Sequence, residues 1–142
     1  MIFTNNTVAI KGRENYNSSR QGVQKMLLKN VLFIVEDIEK SRRFYENVLG
    51  LKIMSDLGKK LMFAGGLVLE ERTYWENALH ILVGFGGRDA ELYFEDADVG
   101  ALRKKLEESE FEVEFLEGDG EREGDVVRFY DPDRHVIEVR KV

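Results

Sequence analysis

The succession strand, helix, strand, strand, strand can be read twice along this chain, and that repetition limits the fold more than any other feature. In the first copy, residues 27–35 form an apolar, β-rich run. Asp37 is a good N-cap, and Ile38, Ser41, Tyr45, Val48 and Leu49 fall on one helical face. Gly50 stands where a helix ends and positive φ is needed. Residues 51–55, 60–64 and 67–72 read as strands, the last two joined by the hairpin signal Gly65-Gly66. In the second copy, residues 91–95 are a strand, and Asp96 or Asp98 caps a helix bearing Val99, Leu102 and Leu106. Residues 112–116, 125–130 and 135–142 follow as strands, interrupted by an acidic glycine-rich loop at 117–124 and a turn at 131–134. Residues 74–87 lie between the copies and read as a short helix or a loop, then an apolar stretch at 80–85.

Residues 26–142 are expected to form one domain, with a first module at about 26–87 and a second at about 88–142. Residues 1–25 are rich in Asn, Ser, Gln and Thr and read as a polar, disordered or loosely docked extension. An apolar content of 43% and an aromatic content of 11% exclude a disordered chain as a whole. The net charge of −6 argues against nucleic acid as a partner, because phosphate binding needs a basic face. The first 25 residues hold four bases (Lys11, Arg13, Arg20 and Lys25) against one acid, Glu14, so the remaining chain is more acidic than the total. The absence of Cys rules out disulfides and thiolate chemistry and suits a cytoplasmic setting. No apolar run approaches the roughly 18 residues of a membrane span.

Strand side chains alternate between faces. Leu92 and Phe94, Val127 and Phe129, and Ile137 and Val139 form uniformly apolar sets that should pack under the helices. The opposite sets are mixed. They assign Asn30, Glu91, Tyr93, Glu95, Arg128, Tyr130, Glu138 and Arg140 to the concave face, a lining suited to a polar ligand. Trp75, beside Tyr74, reads as a ligand-stacking lip, an interface anchor or simple packing under a loop. His135 reads as a strand-start residue and His80 as structural or exposed, and no Ser/His/Asp set is present.

Three segments carry a family resemblance. VLFIVEDIEKSRRFYENVLGLKI, with Asp37, Phe44-Tyr45 and Leu49-Gly50-Leu51, resembles the opening of the glyoxalase / bleomycin-resistance / extradiol-dioxygenase group, the vicinal oxygen chelate superfamily. AELYFEDADVGALRKKLEE is similar to the opening of its second module, and VVRFYDPDRHVIEV to its last hairpin, with Arg134 in place of the usual Gly. A positive φ at Arg134 would cost on the order of 1 kcal/mol. The resemblance spans residues 26–142 and implies an α+β fold of two tandem βαβββ modules forming a cupped, half-open barrel. It also implies a small ligand in the cup and a homodimer.

Metal-using members of that group hold an ion through His or Glu on four strands. The resemblance puts these positions at Asn30, Glu91 and Glu138, with Glu70 nearest the fourth. Neither His of the chain falls there. Such an oxygen-rich set would favour Mn²⁺ or Mg²⁺ over Zn, Ni or Fe. Arg140 is two residues from Glu138 on one strand face, about 7 Å away along the strand, and Arg128 lies on a neighbouring strand. The arginines are therefore expected to stand where family enzymes keep a metal, with no cofactor.

These observations favour a protein that binds a small polar or cationic molecule in an acidic cup. The alternative is a metal-dependent lyase, isomerase or dioxygenase acting on vicinal oxygens, with Glu138 or Glu91 as the proton-moving group. A third reading is a regulatory module in which residues 1–25 meet a partner.

Overall fold

The computed structural model describes residues 25–142, so what the sequence suggests for residues 1–24 lies outside the described residues. The first unit consists of β1 (Val31–Val35), α1 (Ile38–Arg42), β2 (Ile53–Asp56), β3 (Lys60–Phe63), β4 (Leu67–Glu71) and α2 (Arg72–Leu79). The second consists of β5 (Glu91–Asp96), α3 (Val99–Glu107), β6 (Phe115–Leu116), β7 (Val126–Tyr130) and β8 (Val136–Lys141). Each unit builds one four-stranded mixed sheet of the same topology, β1-β4-β3-β2 and β5-β8-β7-β6. The first strand of each lies parallel to the last, β1 on β4 and β5 on β8. The twofold repeat and the α+β fold class are those expected.

The helix starts follow local chemistry. Asp37 accepts hydrogen bonds from the amides of Glu39 and Lys40, and Asp98 from that of Ala101. Asp96 instead accepts from the amide of Asp98, so both candidate caps are used. Gly50 has φ +75°, the left-handed conformation that a helix C-terminus needs. Between Arg42 and Gly50 the helix widens into a π-helical segment, Arg43–Val48, with the Leu49 amide bonded to the Phe44 carbonyl. Widening turns Phe44 inward beside Tyr45, so Phe44 joins Ile38, Ser41, Tyr45 and Val48 among the buried residues of this stretch, while Leu49 is half-buried.

The core contains residues of both units. Phe44 meets Phe111 and Phe129 of the second unit, and Tyr45 meets Phe63 of the first. Full burial of such side chains is worth about 2–3 kcal/mol each. Val127, Phe129, Ile137 and Val139 are buried in the same core, as expected for the apolar sets. The 131–134 turn adds polar ties. Buried Asp131 accepts from Tyr45 Oη at 2.6 Å and from the amides of Asp133 and His135, and its Oδ2 lies 2.7 Å from His135 Nδ1. Asp133 accepts from the Glu36 amide of the first unit.

Two expectations need correction. β1 begins at Val31 rather than residue 27, because its partner β4 begins at Leu67 after the Gly65-Gly66 turn and offers nothing further to pair. β6 holds only Phe115–Leu116, since β7 turns away at Asp131 and the ladder ends there. The ambiguous connection is a helix, α2, capped by the Glu71 carboxylate and closed by His80 at φ 58°; residues 81–90 have no regular structure. Among the described residues, no helix is long and apolar enough to cross a membrane.

Candidate functional site

β8 lies between β5 and β7, so its outward side chains have neighbours on both sides. The register sets Tyr93, Glu138 and Arg128 in one row, Glu95, Arg140 and Val126 in the next, and Glu91, Val136 and Tyr130 in the row on the other side. Strand alternation turns all of them away from the face that buries Ile137, Val139, Val127 and Phe129.

Charge organises the centre of this face. Arg128 Nε donates to Glu138 Oε1 at 2.6 Å, and Arg140 Nε donates to Glu138 Oε2 at 2.6 Å. Arg128 Nη1 donates to Glu121 Oε1 at 2.7 Å, its Nη2 donates to Glu121 Oε2, and Arg140 Nη2 donates to the same oxygen at 2.9 Å. The result is a closed ring of two carboxylates and two guanidiniums. Burial opposes ionisation of Glu138, yet the hydrogen bonds from Arg140 and Arg128 prevail and hold its carboxyl below the ordinary range. The Arg128 hydrogen bond holds Glu121 at about 2, with Arg140 adding to it.

Toward the β5 edge the face is open. Tyr93 is 53% exposed, and its hydroxyl lies 3.4 Å from Glu95 Oε2. Glu91 and Glu95 are exposed on the same face of β5. Tyr130 is buried beneath the Arg134 guanidinium, which stacks over its ring at 4.1 Å.

Of the expected site residues, Tyr93, Glu95, Arg128, Glu138 and Arg140 come together, with Glu91 and Tyr130 in the adjoining row. Asn30, Glu70 and Trp75 belong to the first unit. Asn30 is exposed, one residue before β1. Glu70 is buried on β4, 3.5 Å from Lys60 Nζ. Trp75 is half-buried on α2.

The donor set decides whether a divalent ion fits. Each Glu138 oxygen is already bound to a guanidinium nitrogen, and two cations beside it repel a third. Glu91 lies in a different row. Among the described residues, no three His, Cys, Asp or Glu side chains gather as a metal would require. These residues do not fit a metal centre.

Sequence reasoning missed two participants. Glu121 belongs to the acidic glycine-rich loop at 117–124, and only the folded loop brings it to the arginines. Gly118 leaves room beside them, since a Cβ there would push against Arg128 Nη1 and Glu121 Oε1. The spacing of glycines in the loop hinted at close approach without naming the partner. A cavity of about 960 Å³ opens between α3 and this loop, and Arg128 is the expected site residue that lines it.

Comparisons with known proteins follow this geometry. The family model described as a glyoxalase-like domain matches residues 28–142. The chain is 36% identical to a protein of unknown function from Agrobacterium tumefaciens, covering 84% of this chain and 96% of that one, with a TM-score of 0.70. It is 17% identical to a glyoxalase/bleomycin resistance protein/dioxygenase family enzyme from Burkholderia phytofirmans, covering 82% and 99%, with a TM-score of 0.65. It is 19% identical to the fosfomycin resistance protein FosX from Listeria monocytogenes, covering 84% and 93%, with a TM-score of 0.58. The last two likenesses are likenesses of fold. No curated protein matches the chain.

Proposed function

Because the chain belongs to the glyoxalase-like domain family, we propose that it is a small-molecule-binding member of it, taking a polar or cationic ligand on the outward face of β5 and β8 without a metal centre. The observation that carries this reading is Tyr93, half exposed between Glu91 and Glu95 on an open edge strand. An aromatic face flanked by carboxylates attracts an ammonium or guanidinium group through the ring quadrupole and through charge. The arginine ring does not cancel that attraction, since four carboxylates (Glu91, Glu95, Glu121 and Glu138) share the face with two guanidiniums.

The metal-dependent lyase, isomerase or dioxygenase alternative would require Glu138 to leave both arginines before it could ligate an ion. The homodimer is part of the proposal. Leu79, Ile81, Leu82 and Phe85, in the connection that follows the first unit in sequence, are exposed apolar side chains that a second copy would cover.

Calorimetric titration with spermidine tests the ligand class. Saturable binding to the unaltered protein is expected, weakened by about tenfold in Tyr93→Ala and in the double variant Glu91→Gln/Glu95→Gln, as the loss of a cation–π contact and two carboxylates implies. Absence of saturable binding, or equal binding by those variants, would overturn the reading.

A further inference from the structure

The Arg128–Arg140 pair reads as an anion site that the protein fills with its own carboxylate. Glu138 supplies one negative charge for two guanidiniums. The second charge comes from Glu121, which belongs to the β6–β7 loop and not to the sheet. Arg128 presents both terminal nitrogens to the two Glu121 oxygens, the fork geometry that equally suits a free carboxylate or a phosphate.

The loop itself has little else to hold it. Residues 117–124 are Glu-Gly-Asp-Gly-Glu-Arg-Glu-Gly, without one apolar side chain, so moving the loop away forfeits no hydrophobic burial. Its other ion pairs are exposed: Glu117 with Arg103 at 3.4 Å, and Arg122 with Asp125 at 3.1 Å. Pairs of that kind contribute about 0–1 kcal/mol. Behind the loop lies the cavity of about 960 Å³, which gives it room. The absent side chain at Gly118 leaves the space that Arg128 Nη1 and Glu121 Oε1 occupy.

We propose that Glu121 is a built-in stand-in for an anionic ligand, and that a small molecule bearing a carboxylate or phosphate group displaces it and binds Arg128 and Arg140. The site adjoins the β5 edge proposed for cations, since Arg140 lies opposite Glu95, but its test reads phosphate affinity and not cation binding. A ligand carrying both charges could span the two.

The test uses inorganic phosphate at constant ionic strength, followed by calorimetry and by the arginine Nε signals in NMR spectra. An internal competitor lowers apparent affinity by the fraction of protein in which the site is free, so Glu121→Gln should bind phosphate about tenfold more tightly than the unaltered protein. The Nε signals of Arg128 and Arg140 should move during that titration. Glu123→Gln removes the same charge from the same loop and should leave phosphate affinity unchanged. If Glu121→Gln does not fold, Glu121→Asp keeps the charge but shortens its reach to Arg128 and Arg140, and should tighten phosphate binding in the same direction. Phosphate affinity in Glu121→Gln no higher than in the unaltered protein, or an equal gain in Glu123→Gln, would overturn the proposal.

Discussion

Arg128 and Glu138 face each other directly across the antiparallel β7–β8 ladder, and Arg128 Nε closes the gap with a 2.6 Å bond to Glu138 Oε1. This cross-strand pair is the fixed half of the charge ring. Both residues sit on regular strands, and their side chains are only 20% and 10% exposed. Glu121 is the movable half.

Removing the shared carboxylate should therefore be costly. Glu138→Gln leaves the Arg128 and Arg140 Nε groups a single amide oxygen to share in place of one carboxylate oxygen each, and breaking a largely buried pair from one side costs more than the pair contributes. A loss of about 2 kcal/mol in chemical denaturation is expected. A double-mutant cycle with Arg128→Met should return positive coupling between the two positions.

Acid should release the loop. Glu121 has an ordinary carboxyl value of 4.5 and is held at about 2 in the folded state, principally by the Arg128 hydrogen bond. The unfolded or released form binds the proton more readily, so the tie is fully present above about pH 4.5 and is lost as pH falls toward 2. Carboxyl ¹³C shifts of Glu121, followed with pH, should show a midpoint well below the ordinary value of 4.5. A midpoint at the ordinary value would contradict the tie.

Tyr45→Phe isolates the knot that joins the two units. The mutation keeps the ring packing against Phe44 and Phe63 but deprives buried Asp131 of its 2.6 Å hydroxyl donor. The expected loss is about 1–3 kcal/mol, the usual cost of an underserved buried acceptor. Thermal unfolding of the two proteins side by side checks it, and an unchanged Tm would show that the His135 ring and the two backbone amides satisfy Asp131 without the hydroxyl.

Arg134 carries two opposed effects. Its φ of +68° is strained for a residue with a Cβ. Its guanidinium stacks on Tyr130 and pairs with Glu114 at 2.9 Å. Arg134→Ala discards the contacts and keeps the strain, whereas Arg134→Gly discards both. The glycine variant should therefore be more stable than the alanine variant by about 1 kcal/mol. Equal stabilities would remove the strain from the account.

Much of this fold could be read from local chemistry. Asp37 and Asp98 cap helices wherever they stand before one, and Gly50 ends one because its φ is +75°. Strict alternation put Tyr93, Arg128, Glu138 and Arg140 on one face, since period two needs no knowledge of the rest of the chain. What depended on partners was harder to read. The true start of β1 is set by where β4 begins, and the extent of β6 by where β7 ends. Phe44 escaped the helical face because π-helical widening is not visible in an apolar pattern. Glu121 escaped because a charge in a polar loop acquires meaning only when tertiary structure carries it to two arginines.

The central claim is that arginines occupy the place of a metal. Plasma mass spectrometry of protein purified without chelator and without a metal-affinity column addresses it directly. The account predicts Mn, Fe, Ni and Zn far below stoichiometric, unchanged after incubation with those ions. One ion bound per chain, lost when Glu138 is replaced by Gln, would contradict it.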